Sequence, residues 1–221
     1  LATINLLDAS LPPAWQEGAN PKFWLGTDDQ GRDVFSAILF GMRVSLLIGI
    51  ASVILSIILG VGLGLLSGYV GGKVDAFIMR VCDVMLSFPA ILVALLIDGV
   101  FRAALPRETH DQVAFAVLIL AIALSGWVQY ARTVRGSTLV EKNKEYVQAA
   151  RVIGVSPLAI MGKHVLPNVL GPVLVLGTVH VATAVLTEAT LSFLGVGVPP
   201  TTPSLGTLIR IGQEFLFSGE W

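Results

Sequence analysis

The chain has 221 residues, 54% of them hydrophobic and 13% charged, and its formal net charge is −1. Soluble domains usually contain about 25% charged residues, so this composition predicts a chain that lies largely in membrane lipid. The near-neutral charge provides no basic field that would attract nucleic acid, and no nucleic-acid partner is expected. The single cysteine, Cys82, cannot form an internal disulfide, and no metal-ligand motif is predicted around it.

Residues 1–43 are predicted to lie outside the membrane core. Residues 1–30 have no helical period and contain Pro12, Pro13 and Pro21, which indicates an extended loop. Residues 33–43 fit a short amphipathic helix on the membrane surface, with its apolar face toward lipid. An ordinary loop helix is an equally good interpretation of this segment.

Residues 44–198 form the predicted membrane core, which contains four spans. Residues 44–66 carry no charge and are long enough, at about 1.5 Å per residue, to cross a hydrocarbon core of ~30 Å. Further spans are predicted at residues 76–97, 113–131 and 169–194. Pro89 removes one backbone donor and should kink the second span.

Small side chains recur every four residues along the first span, at Ser52, Ser56, Gly60, Gly64 and Gly68. This spacing places them on one face of a helix, where a second helix can approach closely. A packing groove is therefore the favoured interpretation, and a dedicated substrate path is the less favoured one.

Charged residues within the predicted spans have specific expected roles. Arg80 and Asp83 are spaced i, i+3 and can form a structural ion pair near one end of the second span. Glu188 lies near the far end of the fourth span, where a carboxylate is costly against lipid and tolerable against water or protein. A hydrogen bond between helices and a contact with a neighbouring loop are both compatible with Glu188.

The stretch 141–168 is more polar than its surroundings and indicates two short helices joined by a turn. Residues 145–153 contain good helix formers, and Gly154 can adopt the left-handed conformation that ends a helix. Ser156 followed by Pro157 is a suitable start for the second helix.

Pro167 disfavours the helical conformation at Leu166, so the second short helix is expected to end near Val165. Ala149 and Ala150 leave a shallow surface against which a partner can press. A solvated loop helix between two spans is the plain alternative to such a contact surface.

The distribution of basic residues predicts the orientation of the chain. Basic residues on one side are Lys73, Arg80, Arg132, Arg135, Lys142, Lys144, Arg151 and Lys163. Those on the other side are spread over longer segments. The positive-inside rule therefore places residues 136–168 in the cytoplasm and residues 1–43 and 199–221 outside, the latter with a short helix near residues 205–215.

Three stretches resemble the permease subunits of ATP-binding cassette (ABC) importers. Gln148-Ala149-Ala150, then Gly154, then Leu166-Pro167 have the spacing of that family's EAA loop. Gln148 stands where the family has Glu, and His164 stands where it has Ile. Residues 25–33 and 187–195, which read LGTDDQGRD and TEATLSFLG, are similar to the dipeptide, oligopeptide and nickel branch.

The resemblance implies an all-α integral membrane protein of the type I, MetI-like permease bundle. On this expectation the chain holds four central spans, residues 199–221 form a periplasmic loop, and the family's first and last spans lie outside the chain. The implied location is the bacterial inner membrane. The implied partners are a second permease subunit, two ATP-binding cassette subunits, a periplasmic or lipid-anchored solute-binding protein and membrane lipid.

The resemblance also implies which residues contact the ATPase. They are Glu145, Gln148, Ala149, Ala150, Gly154, Pro157, Leu166 and Pro167. The expected function is transport of short peptides, with a nickel or other small-solute importer permease and a membrane scaffold or channel as alternatives. In an importer of peptides, Glu188 has a third possible role, which is contact with the peptide's amino group in the translocation path.

No catalytic or metal site is predicted. The sequence has no Gly-x-x-x-x-Gly-Lys-Ser/Thr phosphate loop, so ATP and Mg²⁺ are expected on separate ATPase subunits rather than on this chain. His110, His164 and His180 lie in three different regions and do not suggest a metal cluster. No nucleophile and base are paired in the pattern of an intramembrane hydrolase, so the chain is not expected to be an enzyme.

Overall fold

The computed structural model describes residues 5–106, 109–199 and 202–216, and these residues contain helices and no β-strand. A short 3₁₀ turn lies at Leu6–Asp8. The helices are α1 (Val34–Val70), α2 (Gly72–Leu86), α3 (Ala90–Ala104), α4 (His110–Glu141), α5 (Glu145–Val152), α6 (Pro157–Ala159), α7 (Leu166–Phe193) and α8 (Leu205–Phe215). A π-helical turn, Ile160–Val165, joins α6 to α7. The all-α expectation is confirmed.

Three helical segments are long and apolar enough to cross a membrane: Val34–Val70, Val113–Glu141 and Pro157–Phe193. The pair Gly72–Leu86 and Ala90–Ala104 passes the same test together but is bent by 98°, so the described residues provide three spans, or four if the bent pair is one. Pro89 therefore does more than kink a single span. It lies just before α3 in an extended conformation, and α3 begins as a new helix after it.

Helix α1 is continuous from Val34 to Val70, and the predicted separation between a surface helix and a span at Arg43 is wrong. The Asp33 side chain caps its start by accepting a hydrogen bond of 3.0 Å from the Ser36 backbone N–H. Ala37 and Gly41 are buried, and Gly41 lies against the start of α8. Since these first turns pack on protein and contain no proline, nothing interrupts the helix where the span begins.

The strip of small residues on α1 packs against α4. The Ser56 hydroxyl donates to the Ala123 carbonyl at 3.1 Å. A Cβ added to Gly60 would lie 2.5 Å from the Trp127 carbonyl oxygen, and one on Gly64 would lie 2.6 Å from that of Ala131. A Cβ on Gly68 would lie 2.7 Å from the Thr138 Cβ and 2.9 Å from the Arg135 carbonyl oxygen, so α1 and α4 run parallel with their main chains almost touching.

Helix α7 runs antiparallel to α1. Gly49 near the start of α1 lies against Val185, whereas Gly177 lies against Ile57 further along. The core between α1, α4 and α7 is apolar, with Ile48, Leu118 and Leu191 among its fully buried side chains.

The predicted pair of Arg80 with Asp83 is wrong. Asp83 instead pairs with Arg132 of α4, and Arg135 of α4 donates to both carboxylate oxygens of Asp75 at 2.5 and 2.7 Å. These pairs form because α4 continues to Glu141, well beyond its predicted end, and brings its last turns alongside α2. The same extension shows that residues 136–141, which were assigned to the loop, belong to α4.

Helix α8 closes the opposite end of the bundle, at the residues where a short helix was predicted. Ser204 and Thr207 form a reciprocal capping box at its start. Gly206 lies directly against the Ala189 carbonyl group of α7, and the Leu205 N–H donates to the Ser45 hydroxyl at 3.2 Å. The loop 136–168 and the α8 region therefore lie at opposite ends of the long helices.

Candidate functional site

The loop between α4 and α7 is held by a complete helix-ending motif at Gly154. Gly154 has φ +83, its N–H donates to the Arg151 carbonyl at 3.1 Å, and the Val155 N–H donates to the Ala150 carbonyl at 3.0 Å. These two bonds are the Schellman pattern, which needs a left-handed residue. The Ser156 hydroxyl then accepts from the Ala159 N–H at 3.4 Å and caps α6, with Pro157 at its start. The turn and both helix starts agree with the sequence-based prediction.

The second short helix does not end at Val165 as predicted. It continues as a π-helical turn of six residues and then directly as α7, with Pro167 in the first turn of α7. Proline lacks an N–H and crowds the carbonyl group four residues earlier, and a π-helical turn relieves both problems because its hydrogen bonds skip one more residue. Ile160 and Val165 anchor this turn in the core. The loop is therefore rigidly continuous with the last long span.

Tyr146 links the three parts of the loop. Its hydroxyl donates to the Glu141 carboxylate at the end of α4 and lies 3.2 Å from the His164 carbonyl oxygen in the π-helical turn. Asn168 of α7 donates to the same hydroxyl at 3.1 Å. Burial and the hydrogen bond to Glu141 raise the pKa of Tyr146 to about 12, so the hydroxyl keeps its proton at physiological pH.

The loop is also fastened to the end of α1. The Lys142 ammonium donates to the Gly68 carbonyl at 2.6 Å, where the helix leaves carbonyl groups unpaired. The Arg151 guanidinium lies 5.2 Å from the centre of the Tyr69 ring, in the range of a cation–π contact. Displacement of α5 would therefore pull on α1 as well as on α4 and α7.

Helix α5 has one buried and one exposed face. Val147 and Ala150 are buried against Val134 and Ile160, so Ala150, at 4% exposure, contacts the chain's own core rather than an outer surface as predicted. Ala149 is exposed. Among the other predicted contact residues, Glu145, Gln148, Gly154, Pro157 and Pro167 are exposed and Leu166 is half-buried.

An apolar patch surrounds the exposed turn, and the sequence analysis missed it. Val152, Ile153 and Leu158 are 87%, 78% and 78% exposed. Together with Gln148 and Ala149 they form what we call the loop patch. Exposed apolar side chains grouped on a polar loop are typical of a protein contact surface. A sequence signal was available, since Val152 and Ile153 directly precede the turn glycine.

Glu188 is fully buried in the protein. Its Oε1 accepts a hydrogen bond of 2.7 Å from the Ser192 hydroxyl, whereas its Oε2 has no partner among the residues that the structure describes. Its neighbours Val185 and Ala189 pack against α1 and α8. Glu188 is therefore a buried structural group whose hydrogen bond lies within α7 rather than between helices, and its side chain does not face an open cavity.

A cavity of about 330 Å³ with a mixed polar and apolar lining lies instead between α4, α7 and the start of α3. Its polar lining residues are Ser125, Gln129, His180, Thr183 and Thr187, and the remaining lining residues are apolar or small. His180 is fixed by a contact of 2.9 Å between its Nδ1 and the hydroxyl of the buried Tyr130. The i, i+4 spacing of Ser125 with Gln129 and of Thr183 with Thr187 was readable in the sequence, but the pairing of the two helices was not.

The described part of the chain contains no group of three or more His, Cys, Asp or Glu side chains that could hold a metal ion. Two features remain as candidate functional sites: the loop surface at one end of the bundle and the uncharged cavity halfway along it.

A family model and several individual relatives agree on the kind of protein that this chain resembles. The family model described as binding-protein-dependent transport system inner membrane component matches residues 60–219. The dipeptide transport system permease protein DppC of Haemophilus influenzae is 40% identical over 211 residues, which is 96% of this chain and 68% of that protein. The oligopeptide transport system permease protein OppC of Bacillus subtilis is 38% identical over 220 residues, which is 100% of the chain and 67% of that protein.

The dipeptide transport system permease protein DppC of Escherichia coli K12 is 42% identical over 210 residues, or 95% of the chain and 67% of that protein. The chain thus spans about two thirds of the length of these relatives.

Proposed function

Because the chain belongs to the family of binding-protein-dependent transport system inner membrane components, we propose that it is a transmembrane permease subunit of an ATP-driven importer of short peptides. The chain is not itself the ATPase, and ATP and Mg²⁺ bind to partner subunits. The proposed complex contains a second permease, two ATP-binding cassette subunits and a solute-binding protein outside the membrane.

The observation that carries this proposal is the loop patch on a rigid support. The patch lies on a turn that is fastened to α1, α4 and α7 by Lys142, Tyr146 and the π-helical turn. A partner that binds there acts on all three long helices at once. This is the geometry required of a surface that receives motion from an ATPase and transmits it to the spans.

In the proposed mechanism, α5 and α6 insert into a groove on an ATPase subunit, with Val152, Ile153 and Leu158 as the apolar contacts. Closure of the two ATPase subunits around ATP moves the loop as a rigid lever and switches the bundle between inward and outward access. The loop lies on the cytoplasmic side, in keeping with the cluster of basic residues at that end. The α8 end then lies outside, where the binding protein delivers its peptide.

Peptides are the proposed substrate class because the relatives compared above are named as dipeptide or oligopeptide permeases. The solute-binding protein performs much of the selection in such a system. The permease must therefore accept a class of molecules rather than one sequence.

The proposal is tested by placing a charge in the loop patch. Ile153→Asp should abolish co-purification of the ATPase subunits and ATP-dependent peptide uptake in reconstituted vesicles, while the permease still inserts. Gly162→Asp adds the same charge at an exposed loop position outside the patch, where no described atom lies within 4 Å of a Cβ, and should leave both intact. Full ATPase binding and uptake in the Ile153 variant would refute the assignment of the surface.

A further inference from the structure

The cavity between α4 and α7 lies about halfway along both helices and opens to the outside of the chain, since Gln129 and Thr183 are exposed. Gln129 and Ser125 lie near the middle of α4, and His180 and Thr183 lie near the middle of α7. Both helices are spans, so the cavity is at the depth of the hydrocarbon core. Polar side chains at this depth are costly against lipid and are found facing protein or water-filled paths.

The lining residues offer both hydrogen-bond acceptors and hydrogen-bond donors. The hydroxyls of Ser125, Thr183 and Thr187 donate to backbone carbonyls of their own helices at 2.8, 3.0 and 2.8 Å. Each hydroxyl proton is thereby engaged, and the oxygen lone pairs of each hydroxyl remain free to accept a hydrogen bond. The cavity therefore presents a set of acceptors along α4 and α7.

Donors come from Gln129 and His180. The Gln129 side chain is exposed, and its carboxamide makes no hydrogen bond to any residue within the described ranges. Its NH₂ group can donate and its carbonyl can accept. When Tyr130 donates to Nδ1 of His180, the neutral imidazole carries its hydrogen on Nε2 and is a second donor. Gly126 leaves the space that this ring occupies.

The described lining includes no Asp, Glu, Lys or Arg. A lining without charge cannot select a substrate by its charged terminus or by a charged side chain. It can pair with a peptide main chain, whose N–H groups match the hydroxyl oxygens and whose carbonyl groups match Gln129 and His180. Its volume of about 330 Å³ is at the lower end of ligand pockets, which run from about 300 to 1,000 Å³.

We propose that Gln129, His180, Thr183 and Thr187 form a subsite that binds the main-chain amides of a peptide in transit, without regard to its side chains. The inference rests on the proposed function and adds a means of recognition to it. It also assigns the contact with substrate to these neutral residues rather than to the buried Glu188. A neutral subsite explains how one permease can pass peptides of differing charge.

The inference is tested in the full importer complex in vesicles, with the binding protein preloaded with trialanine or with the same tripeptide carrying Lys or Glu in the middle. Gln129→Leu and Thr183→Val keep side-chain size and remove hydrogen bonding. Each should lower the maximal uptake rate about fivefold for all three peptides, since one hydrogen bond has a net worth of about that factor. Assembly with the partner permease and the ATPase subunits should be unchanged.

Thr178→Val is the matched control. Thr178 is on the same helix, is exposed and donates to the Val175 carbonyl at 2.7 Å, but it does not line the cavity. Uptake by the Thr178 variant should equal that of the wild type.

Normal uptake in the Gln129 and Thr183 variants, or a loss that depends on peptide charge, would overturn the inference alone. If these variants no longer assemble with the partner permease, the cavity is a helix-packing surface and the inference is wrong. If the wild-type complex takes up no peptide, both the proposed function and this inference fail.

A second measurement detects the occupant directly. Cys82 is fully buried, so in a Thr183→Cys variant a thiol-reactive bromoacetyl dipeptide should label position 183 selectively. Excess trialanine should slow this labelling severalfold, and it should not slow labelling of Thr178→Cys. Equal rates with and without trialanine would contradict a peptide in the cavity.

Discussion

Asn168 donates a hydrogen bond of 3.1 Å to the hydroxyl of Tyr146 and so joins the first turn of α7 to α5. The same hydroxyl donates to Glu141 at the end of α4. One phenol thus connects the loop to both of the spans that it links. Its removal should separate binding of the ATPase from transmission of its motion.

Tyr146→Phe should therefore retain ATPase subunits and lower the number of peptides taken up per ATP hydrolysed. The lost hydrogen bonds are worth about 1 kcal/mol each, so a severalfold loss of coupling is expected. The measurement is uptake and ATP hydrolysis in the same vesicles. Tyr69→Phe is the control, since the Tyr69 hydroxyl makes no hydrogen bond within the described residues. Equal coupling in the two variants would show that the Tyr146 hydroxyl transmits nothing.

Gly64→Leu should destabilise the chain itself, because the new side chain would collide with the Ala131 main chain. Overpacking costs about 1–3 kcal/mol, and a backbone that cannot yield raises the cost further. Thermal unfolding of the purified protein in detergent measures this loss. Gly62→Leu should unfold like the wild type, since no described atom lies within 4 Å of a Cβ at that position. Similar melting of both variants would contradict the packing of the strip on α4.

Gly154→Ala should weaken the turn that presents the loop patch, because the left-handed conformation costs a residue with a Cβ about 1–2 kcal/mol. The effect would not come from a steric clash, since a Cβ at Gly154 meets no described atom within 4 Å. Gly154→Asn should be milder, as Asn tolerates this conformation. Uptake coupled to ATP hydrolysis should fall in the order glycine, asparagine, alanine. Gly162→Ala, in the π-helical turn with open space around it, is the control, and a different order would indicate that backbone conformation is not limiting.

Glu188→Gln should leave uptake unchanged and leave the thermal stability equal or higher. The amide oxygen can still accept from Ser192, and the substitution replaces a carboxyl group whose Oε2 is buried without a partner in the described part of the protein. Uptake assays and thermal unfolding decide the matter. A selective loss of uptake in an intact complex would return Glu188 to the translocation path.

The helical class and most helix positions were predictable because long uncharged stretches and the Gly154 and Ser156-Pro157 signals are local. The continuity of α1 past Arg43 was not, since it depends on the packing of Gly41 against α8. The partner of Asp83 was misassigned for the same reason, because Arg132 meets it only once α4 lies beside α2. The inward face of Ala150 and the cavity likewise depend on how separate helices are placed. Residue spacing predicts which side chains share one face of a helix. Which other helix packs against that face is determined only by the tertiary structure.

The contact of α1 with α4 limits which motions are available to the protein. Where two main chains touch at Gly60 and Gly64, no layer of side chains is left that could change rotamer and let the helices slide. The two helices must then travel together as one body during any cycle. Movement between the described helices is then expected where the chain bends sharply, at the 98° break before α3. Spin-label distances across α1 and α4 should stay constant with and without ATP, and those across the bend between α2 and α3 should change.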